Sequence, residues 1–146
     1  MKKTLSFALL LISLVIYSQE IEKNYTFRTL DEVNSYTDDV MNSFSKGKIS
    51  NAFSILKMKW ILPENEIDQL EGMMLKQLNM IEQRFGNVVG YELAKEFKVN
   101  QTLLRRYYFL KYDYHTLICV FTFYNSGKGW MLNGFKYNDD FEILDN

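Results

Sequence analysis

The sequence predicts an α+β domain: three N-terminal helices packed on a curved four-stranded antiparallel meander sheet. Three observations predict it. Apolar residues recur at helical spacing from Leu30 to Phe85, and then at a period of two from Val89 to Tyr137. Pro63, Gly47 and Gly86 punctuate the first half, and Asn125-Ser126-Gly127-Lys128-Gly129 punctuates the second. The helices precede the strands instead of alternating with them, which segregates the two classes into layers.

The first helix opens at Thr29-Leu30-Asp31-Glu32, a capping box in which the Thr hydroxyl and the Glu carboxylate satisfy free N–H groups reciprocally. Leu30, Val33, Tyr36 or Thr37, Val40 and Phe44 form its apolar stripe, and Gly47 stops it. A shorter second helix carries Ile49, Phe53, Leu56 and Trp60 on one face. Pro63 then suits a first helical turn, with Glu64 and Glu66 at the positive end of the dipole. Ile67, Leu70, Met74, Leu78, Ile81 and Phe85 make the stripe of the third helix, which Gly86 ends. Met73-Met74 and Met80 on that helix read either as core filler or as an adaptable contact surface.

In the first strand Val89, Tyr91, Leu93, Phe97 and Val99 alternate with Glu92, Glu96 and Lys98, so one face is expected to be wet. Leu103–Tyr112 is the second strand and Asp113-Tyr114 the turn after it. His115–Tyr124 is the third and is apolar on both faces, which predicts a central strand covered twice. Trp130–Tyr137 is the fourth, and Phe141-Glu142-Ile143-Leu144 is expected to add a short edge segment. With helices enough for one face only, a curled sheet or a second copy of the chain would have to cover the other.

Ahead of this domain, Met1-Lys2-Lys3 is basic, Leu5–Tyr17 is uncharged and mostly apolar, and Ser18-Gln19-Glu20 returns to polar sequence. That is the layout of a secretory signal peptide. The apolar run falls short of the roughly 20 residues that span a bilayer. Cleavage is placed after Ser18. Residues 1–18 are then a leader, 19–28 an N-terminal extension and 29–146 one α+β domain. The mature protein is expected in the periplasm or outside the cell, with no membrane span once the leader is removed. Losing Lys2 and Lys3 and no acid makes it more acidic than the formal −1 of the whole chain. That balance argues against nucleic acid as a partner, which would need a basic patch. One Cys and one His exclude an internal disulfide and any multi-His or Cys-rich metal site. No cofactor is implied.

Two segments carry a resemblance. Phe44-Ser45-Lys46-Gly47-Lys48-Ile49-Ser50-Asn51-Ala52-Phe53 is similar to the passage into the second helix of exported members of the nuclear transport factor 2-like superfamily, the cystatin-like cones. Phe123-Tyr124-Asn125 through Gly129-Trp130-Met131-Leu132, followed by Phe135-Lys136-Tyr137-Asn138, resembles their last hairpin. The resemblance spans roughly residues 25–144 as element order. It implies a cone-shaped domain. Its members include ketosteroid isomerase, scytalone dehydratase and non-catalytic binding or dimerisation domains, so it leaves function open.

Trp60, Tyr91, Tyr108, His115 and Trp130 are the candidates for a ligand site. The aromatic residues can line a cavity or fill a solid core equally well. His115 is the one side chain whose ordinary titration lies near neutral pH, and it reads as a polar anchor at a pocket mouth or as a turn residue bonded to backbone. Arg105 and Arg106 are adjacent in a strand and so point to opposite faces. Two functions follow. The first is an exported binding or interaction module without catalytic activity, a homodimer through its sheet face. The alternative is a pocket protein for a small apolar ligand, with isomerase or lyase chemistry through His115 and a Tyr. The alternative requires a cavity of roughly 300 Å³ or more between the third helix and the sheet.

Overall fold

A computed structural model describes residues 23–145, so the leader over 1–18 and its cleavage point lie outside the described residues. The elements are β1 (Thr26–Phe27), α1 (Leu30–Ser45), α2 (Ile49–Lys59), α3 (Glu64–Phe85), β2 (Val88–Val99), β3 (Leu103–Tyr112), β4 (Thr116–Asn125) and β5 (Trp130–Asn138). A single 3-10 turn, Phe141–Leu144, follows. The fold is α+β with the three helices ahead of four of the strands, as expected, but the sheet has five strands in the order β1-β5-β4-β3-β2, and β1 precedes the helices. The extra strand is two residues of the supposed extension, Thr26 and Phe27, paired antiparallel with Met131 and Trp130. Gly129 makes this pairing possible. Its φ is +117°, and a Cβ there would stand 2.6 Å from the Phe27 carbonyl oxygen.

α1 is capped largely as the sequence implies. The Glu32 N–H donates to Thr29 Oγ1 at 3.2 Å. The Glu32 carboxylate reaches one residue further back than a standard box, accepting from the Arg28 N–H at 2.7 Å. Gly47 (φ +69°) takes up the left-handed turn that ends the helix, its N–H donating to the Phe44 carbonyl. Val33, Tyr36, Val40, Phe44, Ala52, Phe53 and Leu56 are buried against the sheet.

β2 departs from simple alternation. Register shifts fall between Val88 and Gly90 and between Leu93 and Lys95. A bulge inserts one residue and so reverses the facing of everything after it. Tyr91 and Leu93 sit opposite Leu110 and Tyr108, on the side of the helices, whereas Phe97 and Val99 sit opposite Arg105 and Leu103, on the outer side. Glu92 and Glu96, expected on one wet face, therefore lie on different faces. Glu96 comes to 3.7 Å from Nη1 of Arg106 on the inner side, and Glu92 pairs with Lys111 at 2.9 Å on the outer side.

β4 is doubly covered, as its composition requires. Leu117, Cys119, Phe121 and Phe123 join the helices in the main core. Ile118 and Val120 form a second cluster with Tyr107 on the outer face, and Ile143 and Leu144 pack over it. The tail is thus not an edge segment. It folds back as a 3-10 turn across the outer face, held by Lys95 Nζ donating to the Leu144 carbonyl at 2.7 Å. The physical reason is area: three buried apolar side chains gain more from a cover than a strand edge gains from four more residues. Among the described residues no helix is long and apolar enough to cross a membrane.

Candidate functional site

The five residues singled out from sequence do not meet at one place. Trp60 caps the C-terminus of α2, is 4% exposed, bridges Leu132 and packs edge-on to Phe135. Trp130 starts β5 beside Phe27 and is equally buried. Both serve the core. His115 lies in the β3–β4 turn, one residue before the strand it was expected to open. Its ring stands 4.3 Å from that of Phe85 and 5.2 Å from that of Phe141. Its carbonyl accepts from the Tyr112 N–H at 2.9 Å.

Tyr91 and Tyr108 do come together, with ring centroids 6.2 Å apart. The Tyr108 hydroxyl is hydrogen-bonded to Thr37 Oγ1 at 2.7 Å and donates to Asp38 Oδ1 at 3.2 Å. Burial pushes its phenol up to about 12, against the bond from Thr37 and the nearby Arg106 charge, which pull it down. Arg106 is a buried charged residue of the inner face, 5% exposed, its guanidinium 5.5 Å from the Tyr108 ring. Arg105 lies on the opposite face and is exposed, so the two arginines part as strand geometry demands. Cys119 is fully buried, and desolvation raises its thiol to about 12, so it stays protonated and unreactive.

The most enclosed cleft described among these residues lies elsewhere, between α3 and the β5 side of the sheet. α3 has 22 residues, yet only Ile67, Met74 and Phe85 are buried. Leu70, Leu78 and Ile81, expected in the core, are half-buried, and Met73 and Met80 are 48% and 56% exposed. The helix pairs with α2 near its start through Asp68 and Lys57 and meets the sheet again at its end, where the Phe85 ring lies edge-on to Tyr112 at 6.0 Å. This leaves a half-open cleft of about 540 Å³. Phe53, Phe85, Leu117 and Phe135 form its floor, and Leu70, Met73, Met80 and Ile81 its helical wall. The Tyr137 hydroxyl crosses it to donate to Gln77 Oε1 at 2.8 Å. Arg84 and Lys136 stand on the helix and strand walls respectively, with Asp139 the single acid of the lining. His115 reaches the cleft only through the Phe85 ring.

The cavity therefore occupies the place that the ligand-binding alternative required, but is lined by other residues. The signal that could have found it is the Met pair at 73 and 74 with Met80 on a helix too long for the sheet beside it. Compared with known protein families, curated proteins and solved structures, the chain matches none.

Proposed function

We propose that the protein is a non-catalytic binding module, exported by its N-terminal leader, and that it binds through the α3–β5 cleft. One observation carries this reading: part of the apolar surface of a long helix, Met73 and Met80 above all, is left exposed beside an aromatic floor. Exposed apolar surface of this kind costs free energy in a monomer unless something fills it. At about 540 Å³ the cleft falls within the usual range for ligand sites. The order of three helices and a curled sheet supports kinship with the nuclear transport factor 2-like superfamily. The isomerase or lyase alternative would use the same cleft, but His115, Tyr91 and Tyr108 are not among its lining residues.

The test is a titration of the purified protein with anilinonaphthalene sulfonate, an apolar fluorophore bearing one anion. A saturable fluorescence rise is expected, weakened about tenfold or more in Leu70→Trp, which fills the cleft. Equal binding by the two proteins at equal melting temperature would remove the cleft as the site.

A second mode, self-association through the sheet's outer face, is favoured by a separate observation. Val99, Leu103, Tyr124 and Met131 lie side by side across four strands, beyond the reach of the tail, with Phe97 next to them. Val99, Tyr124 and Phe97 are each about two-fifths exposed. Light scattering is expected to give a homodimer that Tyr124→Lys converts to a monomer. A wild-type monomer at every concentration sinks this mode and leaves the cleft untouched.

A further inference from the structure

The cleft contains an open strand edge. β1 covers β5 only at Trp130 and Met131, and Trp60 bridges Leu132. From Asn133 to Asn138 no strand lies on that side of β5 among the described residues, although its other side is paired to β4 as far as Asn138. Five consecutive residues, Phe135 to Asp139, line the cleft. Side chains in a strand alternate between faces, so five in a row share only the backbone edge. The cleft therefore opens onto that edge. Native proteins cover or blunt such edges because their free N–H and C=O groups recruit another chain.

The facing wall suits a peptide. Met73 and Met80 project flexible thioethers that adapt to side chains of different shape. Arg84 on α3 and Lys136 on β5 have no carboxylate partner among the described residues, in a chain with more acids than bases. Lys136 stands opposite Val120, so its side chain leaves on the outer face of the edge, while Arg84 stands on the helix wall and makes that side of the groove complementary to one negative charge.

We propose that the cleft takes an extended peptide segment of another protein, added as a strand to the free edge of β5 in line with β1. Alternate apolar side chains of that segment point down between β5 and α3, and a carboxylate lies against Arg84. This inference rests on the cleft being the binding site. The free edge from Asn133 to Asn138 accommodates about four to six residues at roughly 3.3 Å each. Main-chain hydrogen bonds supply affinity in this mode and the pockets for alternate side chains supply specificity. A compact apolar molecule would use the floor but leave the edge to water. The Tyr137–Gln77 bond is exposed, so an incoming segment can displace it and water can replace it.

The experiment selects binders from two random short-peptide libraries, one displayed with free C-termini and one without. A selected peptide is then synthesised unmodified, as its C-terminal amide, and with single backbone N-methyl groups along its length. Affinities are read by fluorescence anisotropy. Enriched sequences are expected to be apolar at every second position. N-methylation is expected to abolish binding at one alternating set of positions and to spare the other. Loss on amidation assigns the anion to the terminal carboxylate, and loss on replacing an acidic side chain assigns it to that side chain. Arg84→Ala should weaken binding about tenfold. Leu70→Trp should abolish it. Met73→Glu should do so too, at an exposed position where folding is not at stake.

Uniform tolerance of N-methylation, or no enriched peptide while the fluorophore binds and Leu70→Trp blocks it, overturns the peptide and keeps the cleft as a small-molecule site. Peptide binding that survives both cleft variants overturns the placement. Failure of both peptide and fluorophore removes the cleft reading together with this one.

Discussion

Phe121→Ala is expected to lower the unfolding free energy by about 3–5 kcal/mol, the range for truncating a fully buried aromatic ring. Phe121 has no exposed surface. Its ring lies 5.1 Å from Phe135 and 5.7 Å from Tyr108, so it joins two parts of the core. On one side Phe135 gathers Phe44, Phe53 and Trp60, which brings in α1 and α2. On the other, Tyr108 ties the sheet to α1 through Thr37 and Asp38. Truncation opens a cavity at the joint, and rings anchored on separate elements cannot all collapse into it. For a domain of this size the loss corresponds to a fall in melting temperature of about 10–20 °C. Urea unfolding with an unchanged slope would check it. Phe97→Ala is the control: that ring is 38% exposed on the outer face, and its removal should cost well under 1 kcal/mol. Equal losses in the two variants would mean that the facing of β2 and β4 is misassigned.

The contrast between these two phenylalanines also marks where the sequence was legible. Leu117, Cys119, Phe121 and Phe123 alternate without interruption, and their common face follows directly. Phe97 alternates just as cleanly with Glu96 and Lys98, yet the bulge before Lys95 turns it outward. A bulge answers to sheet twist and to the partner strand, which no window on β2 contains. β1 escaped for the same reason. Two residues cannot signal a strand, and Thr26 and Phe27 are held by Met131, Trp130 and the tight approach at Gly129. The helices were readable because Thr29, Gly47, Pro63 and Gly86 act within a turn of themselves. The cleft was readable only as a location. Leu70, Met74, Leu78 and Ile81 have one spacing whether or not other elements cover them, yet Met74 is buried and the other three are half-buried, a difference set by what stands opposite each. His115 drew attention by its chemistry, but its position behind Phe85 is set by the corner where Gly86 meets Asp113, contacts far apart in sequence.

Alkaline solution should unfold the protein between about pH 9 and pH 12. Burial raises the Cys119 thiol and the Tyr108 and Tyr112 phenols to about 12 each. It raises Tyr36 further, since that hydroxyl lies beneath α2 and donates to the Ile55 and Leu56 carbonyls at 3.3 and 3.2 Å. Ionising Tyr36 would remove the donor and set a phenolate against two carbonyl oxygens. In the unfolded chain the thiol releases its proton near pH 8.5 and the phenols near pH 10, following their ordinary values. Between those values and about 12 the native state therefore holds protons that the unfolded state has lost. Stability must fall as pH rises through that window, while below it these groups contribute in full. At about 1.4 kcal/mol per pH unit, the Tyr108 and Tyr112 phenols each remove roughly 3 kcal/mol across their interval and the thiol roughly 5 kcal/mol. Together they rival the whole stability of an ordinary domain, about 5–15 kcal/mol. Urea midpoints should hold steady up to pH 8 and then drop with growing steepness, and phenolate absorbance should rise together with the loss of circular dichroism. Tyr112→Phe isolates the cause, since its hydroxyl makes no hydrogen bond among the described residues. That variant should lose about one proton's worth of slope between pH 10 and 12. If it unfolds along the wild-type curve, or if phenolate appears while the fold persists, the burial of these groups is not what sets the alkaline limit.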